Sequence, residues 1–250
     1  MKSRFVSGKS IIISALMLLL IVPAHAQFGK FLKQAGETVK EVTKTDGSGG
    51  LSQDQIIKGL KEALAVGSKN AGASASKLDG FNKNQKIRIP FPPEVNQVKS
   101  AVEKVGLKPQ VDKFVETLNR AAEEAAKEAA PIFVNAIISM NISDGLNILN
   151  GADNAATQFL QKGTTPQLKA KFEPIVKKAI DKVQLTKYWN PIINQYNRVP
   201  FVKKVNPDLE AYVLEKAIAG MFVLVAEEEA KIRKDPAARV SDILKTVFGK

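Results

Sequence analysis

The chain has 250 residues, with 37 Lys or Arg against 25 Asp or Glu, a formal net charge of +12. It holds no cysteine and one histidine, His25. No disulfide can staple the fold, and if His25 is lost with a leader, no imidazole or thiolate remains. Ser-His-Asp and Cys-His catalysis are then excluded, as are ordinary zinc, haem and copper sites, so no metal or cofactor is expected.

The first 26 residues read as a cleaved export signal. Lys2, Arg4 and Lys9 form a basic start, and Ile11 to Val22 is an apolar run too short for a comfortable membrane span. Ala24-His25-Ala26 is a small-x-small cleavage site before Gln27. The expected mature chain is periplasmic, has no transmembrane segment, and carries 34 Lys or Arg against 25 acids once the leader's three are removed. Its charges are interspersed, so most mark solvated faces. Lipid head groups or another anionic envelope component are the partners such a surface favours. Nucleic acid is not expected, because no motif for it is present. The oligomeric state is left open.

Phe28 to Lys44 has helical spacing of apolar residues, and Asp46 to Gly50 breaks it, so residues 27–50 read as an amphipathic helix and linker before a single helical domain, 51–250. Ser52 and Gln55 are spaced as a capping box. The helix they open puts Ile56, Leu60, Ala63, Leu64 and Ala71 on one face, with Gly67 and Gly72 expected to weaken its later turns. Lys86 to Pro90 alternates over a short run and reads as an extended connector or brief strand. Pro92-Pro93 start a helix that Gly106 should end, and Pro109 opens an alanine-rich central helix with Val111, Phe114, Val115, Leu118, Ala122 and Ala125 inward. Pro131 predicts a kink or fresh helix start. Ile132 to Met140 is apolar nearly all round and is expected to be the most buried helix.

Ser143 and Asp144 read as the cap of the next short helix, ended by Gly151, and Asp153 as a cap for the piece after it. Thr165-Pro166 reads as N-cap and first residue of another helix, with Leu168, Phe172, Ile175, Val176, Ala179 and Val183 inward and a bend expected at Pro174. Tyr188, Trp189 and Tyr196 form the densest aromatic cluster, with packing at a helix junction as its default role and Lys187, Arg198, Lys203 and Lys204 as a basic rim. Asn206-Pro207 and Asp235-Pro236 repeat the cap logic for a long helix and a last one. No strand pattern persists. The expectation is an all-α fold, an irregular multi-helix bundle of about eight to ten helices.

Five polar residues interrupt the apolar helices. Arg120 and Glu123 share a face at a spacing of three, beside Asn119; Glu229 and Arg233 share one at a spacing of four. If the two pairs meet, they form either a structural network that fixes helix register or a site for a carboxylate or phosphate. Their carboxylates could instead serve as an acid-base pair.

Asn119-Arg120-Ala121-Ala122-Glu123, Pro131-Ile132-Phe133, Met140, Ala155-Ala156-Thr157, Pro174, and Glu229-x-x-Ile232-Arg233-x-Asp235-Pro236-x-x-Arg239 together resemble DUF4197, an exported bacterial family of unknown function. The resemblance runs over nearly the whole chain from about Leu51 and implies export and a helical fold. It implies no catalytic residues. Three functions are weighed: a non-enzymatic binding protein for a lipid-like or anionic ligand near the five polar residues, an envelope partner-binding protein with a purely structural network, and a carboxylate-dependent cell-wall hydrolase.

Overall fold

Ser52 and Gln55 satisfy each other's backbone as the capping box requires: Ser52 N–H donates to Gln55 Oε1 at 2.7 Å and Gln55 N–H to Ser52 Oγ at 3.3 Å. The computed structural model describes residues 52–182, 189, 193–201, 204–205 and 208–234. The leader, the 27–50 segment, Val183, Lys187, Tyr188, Lys203, the Asn206-Pro207 pair and everything from Asp235 onward lie outside these. The chain divides into two units, 1–47 and 48–250; all the described residues belong to the second.

The described helices are α1 (Gln53–Ser76), α2 (Asn96–Val102), α3 (Lys108–Ala126), α4 (Ala129–Ser139), α5 (Ile142–Leu149), α6 (Ala155–Lys182) and α7 (Leu209–Lys234). No strand occurs among the described residues, so the fold is all-α. These seven are fewer than expected, partly because two predicted helices are one. Helix α6 runs through Pro166 and Pro174 without a break. Each proline costs about 3 kcal/mol in a helix interior. Against that, Leu160, Leu168, Phe172, Val176 and Ile180 form one fully buried stripe along it, each contributing about 1.5–3 kcal/mol. Thr164 and Thr165 donate their hydroxyls to Leu160 O (2.6 Å) and Gln161 O (2.5 Å), so Thr165 is no N-cap.

The long helices α6 and α7 pack on each other; α3 and α4 lie against α6, and α1 against α4 and α7. Small residues permit these approaches. Ala121, Ala122, Ala125 and Ala126 of α3 are all buried. Gly67 and Gly72 do not shorten α1: a Cβ on Gly72 would lie 2.9 Å from Ala130 Cβ, so its bare backbone is what α4 packs on. The inward residue of the first turns is Ile57, with Ile56 half-buried. Phe133 and Phe222 join α4 to α7 with ring centroids 5.6 Å apart.

Other boundaries differ in detail. Gly106 does not end a helix; it sits at φ +88° inside a π-helical stretch, Glu103–Leu107, that runs from α2 straight into α3. The chain breaks at Lys127 and Glu128, and Pro131 falls in the first turn of α4, where its missing N–H removes nothing. The cap of α5 is Asn141, whose side chain accepts Asp144 N–H while Asp144 accepts Asn141 N–H; Ser143 is inside the helix. Helix α4 is not the most buried, because Ile138 is 45 % exposed at its end. Asp208 accepts Ala211 N–H and so caps α7. Trp189 is buried against Phe91 and Phe114, with centroids 5.6 and 5.7 Å away. Among the described residues no single helix is long and apolar enough to cross a membrane.

Candidate functional site

Asn119, Arg120 and Glu123 leave α3 toward the connector between α1 and α2. Asn119 is fully buried. Its amide oxygen accepts Ile89 N–H at 2.8 Å, and its amide nitrogen donates to Ile89 O at 2.8 Å and Val115 O at 2.7 Å. Lys86 and Ile87 instead belong to a turn, closed by the N–H groups of Ile87 and Arg88 on Asn84 O at 3.2 and 2.8 Å, so only Arg88 to Pro90 remains as a connector without a strand partner; one helical side chain satisfies the backbone of Ile89. Glu123 Oε1 accepts the N–H groups of Phe81 and Asn82, each at 3.1 Å, and its Oε2 accepts Arg120 Nη1 at 2.7 Å. Arg120 Nη2 reaches Asp79 at 2.7 Å and Glu116 at 3.5 Å. Asp79 is left-handed at φ +64°, a conformation that aspartate tolerates better than most residues. Lys83 foremost, then Arg120, hold its carboxyl well below the usual carboxylate range. Glu123 and then Asp79 raise the Arg120 pKa, reinforcing its charge.

Glu229 and Arg233 form a second, separate cluster. Glu229 is 2 % exposed. Its Oε1 accepts Ala156 N–H at 3.0 Å, and its Oε2 accepts Thr157 N–H at 2.8 Å and Thr157 Oγ1 at 2.7 Å. Arg233 donates to Glu229 Oε1 from Nε (3.1 Å) and Nη2 (2.9 Å), and from Nη2 to Ile148 O at 2.9 Å. A carboxylate on α7 therefore caps the start of α6, and a guanidinium one turn later caps the end of α5. Each charge matches the sign of the helix end it meets. Asp153, expected to cap α6, is instead exposed and only 3.9 Å from Lys234.

The five predicted residues thus fall into two groups, and no bond between described residues joins Arg120 or Glu123 to Glu229 or Arg233. Asp79, Thr157 and Ile148 complete the clusters; Thr157 stands in the Ala155-Ala156-Thr157 motif, and the Asp79-Gly80 dipeptide is a turn signal that could have marked the first. Three surface hollows lie elsewhere. One, of about 220 Å³, is lined by Trp189, Lys204, Val205 and Tyr212 among others; a second, of about 300 Å³, by Ala63, Gly67, Asn70, Glu228 and Ile232; and an open groove of about 630 Å³ by Ile57, Lys58, Lys61, Met140 and Ile142. None of the three is lined by Asn119, Arg120, Glu123, Glu229 or Arg233.

A family model described as "Protein of unknown function (DUF4197)" matches residues 50–249. The chain belongs to DUF4197. The two clusters described above both lie within this DUF4197 region. No curated protein and no solved structure matches the chain.

Proposed function

We propose that this DUF4197 chain is a non-enzymatic, exported helical protein of the cell envelope, in which residues 51–250 act as one domain and both arginine-carboxylate clusters lock the helices. The observation that carries this reading is the use of every oxygen of Glu123 and Glu229. Four backbone N–H groups, one hydroxyl and two guanidinium groups consume them. Both carboxylates are buried and each oxygen already accepts at least one donor, and two carboxylates in separate clusters, each held by its own arginine, do not make the facing pair that glycoside cleavage needs. The hydrolase reading therefore loses its acid-base pair. In this proposal, binding is the work of the outer surface. Arg120→Ala should lower the melting temperature while leaving recovery of any co-purifying partner or lipid unchanged below that temperature. An unchanged melting temperature with loss of that partner would refute it. Export with cleavage after Ala26 predicts a mature N-terminus at Gln27, which N-terminal sequencing of the periplasmic fraction checks.

A second reading, a lipid-like anionic ligand, is favoured by the groove between α1 and α5. Ile57 and Met140 give it an apolar floor, Ile142 an exposed wall, and Lys58 and Lys61 face a single acid, Asp54. Lys61 already donates to Ile138 O at 3.0 Å, which leaves Lys58 as the freer cation. A single-chain anionic amphiphile fits this chemistry. Mass spectrometry of organic extracts should then find one bound to the wild type and not to Ile142→Glu; extracts empty of amphiphile count against it.

A further inference from the structure

Asn197 to Phe201, with Lys204 and Val205, have a fixed base and an apolar tip. Asn197 donates from its amide nitrogen to Val205 O at 2.7 Å and accepts Val205 N–H at 2.8 Å. Ile193 before the loop and Val205 at its end are both buried in the core. At the tip, Val199 is 51 % exposed and Phe201 fully exposed. Phe201 also has a left-handed backbone, φ +63°, where bulky residues are outliers. Phenylalanine here gains nothing from the fold: its ring stands in water and its backbone disfavours it.

The geometry points to this loop as a membrane-contacting element, which inserts Phe201 and Val199 into the interface of an anionic bilayer while Arg198 and Lys204 meet the head groups. Charge carries the choice of partner. Both cations are exposed and have no ion pair among the described residues. No acid occurs from Gln195 through Val205, and the chain processed to Gln27 keeps 34 Lys or Arg against 25 acids; Glu94 and Glu215 line the hollow beside Lys204 without pairing with it. Size agrees, because two apolar side chains fall far short of the roughly 1,000 Å² that a specific protein interface needs. A bilayer accepts such a tip, with apolar burial and attraction to anionic lipid adding together. The assignment is independent of whether the groove by Ile142 carries a ligand.

Sedimentation of the processed chain from Gln27 with phosphatidylcholine vesicles, with and without phosphatidylglycerol, tests it. The wild type should bind only the phosphatidylglycerol vesicles, less at high salt. Phe201→Ser should weaken binding about tenfold, and Arg198→Gln with Lys204→Gln about 25-fold, roughly fivefold for each charge. Neither change should move the melting temperature. Phe201→Trp adds a depth probe to a chain whose one tryptophan, Trp189, is buried; its emission should shift to the blue on these vesicles. Absence of wild-type binding, equal binding by Phe201→Ser, or an unmoved Phe201→Trp spectrum would each overturn the proposal. So would capture of a protein by this tip without any vesicle binding.

Discussion

Replacing Glu229 with alanine removes the acceptor for two buried helix N–H groups, a buried hydroxyl and a partly buried guanidinium that donates twice. Loss of one member of a buried ion pair costs about 3–5 kcal/mol, because its partner stays behind in a low dielectric. Hydrogen bonds to a charged group contribute about 1.5–3 kcal/mol each, but they share this carboxylate and do not add. Arg233 keeps Ile148 O as an acceptor, which moderates the loss. The expected destabilisation is about 4 kcal/mol. For a domain of this size that is a fall in Tm of about 8–16 °C. Glu229→Gln retains one oxygen but turns an NH₂ group toward other donors, so it should recover only part of that. Denaturant unfolding followed at 222 nm gives the free energy, and exposed Glu124→Gln serves as the control, expected within about 0.5 kcal/mol of wild type. A change below about 1 kcal/mol for Glu229→Ala would refute the claim that this carboxylate locks α6 to α7.

Other outcomes follow from single contacts. Asn119→Leu leaves the N–H and C=O of Ile89 without partners in the core, and should cost about 2–5 kcal/mol, measured by the same unfolding curves. A Cβ at Gly80 would lie 2.4 Å from the carbonyl oxygens of both Ala75 and Ser74. Gly80→Ala should therefore cost about 3 kcal/mol or more, seen as a lower denaturation midpoint. Burial, and secondarily Glu94, push the Tyr212 hydroxyl up to about 12 from 10.0. A raised pKa favours the neutral phenol in the folded state, so this contribution is complete below pH 10 and is lost as pH climbs toward 12. Tyr212→Phe should flatten the fall in stability over that window, although it also deletes the hydrogen bond to Pro90 O.

What could be read from the sequence was local. The Ser52 and Gln55 box and the shared face of Arg120 and Glu123 need only spacings of three, and both are present. Partners at long separation could not be read: Asp79 lies 41 residues from Arg120, and Thr157 lies 72 from Glu229. Residues 141, 143 and 144 all have side chains able to cap, and only the three-dimensional turn selects Asn141. Pro166 misled because propensity favours a helix start there, whereas burial of Leu160, Leu168 and Phe172 on one continuous stripe outweighs it. Ile132 to Met140 misled for the opposite reason. A helix apolar on all sides carries no mark of the side that its neighbours leave uncovered, and that side holds Ile138.

The bond pair between Asn119 and Ile89 ties the kinetics of a connector to those of a helix. The amide of Ile89 can exchange its hydrogen with solvent only when Asn119 withdraws, and Asn119 is anchored by Val115 O within α3. Deuterium should therefore enter this amide as slowly as it enters the interior of α3, although Ile89 belongs to no helix or strand. The segment from Phe81 to Ile89, held at one end by Glu123 and at the other by Asn119, should then open with the central helix rather than before it, as one cooperative unit.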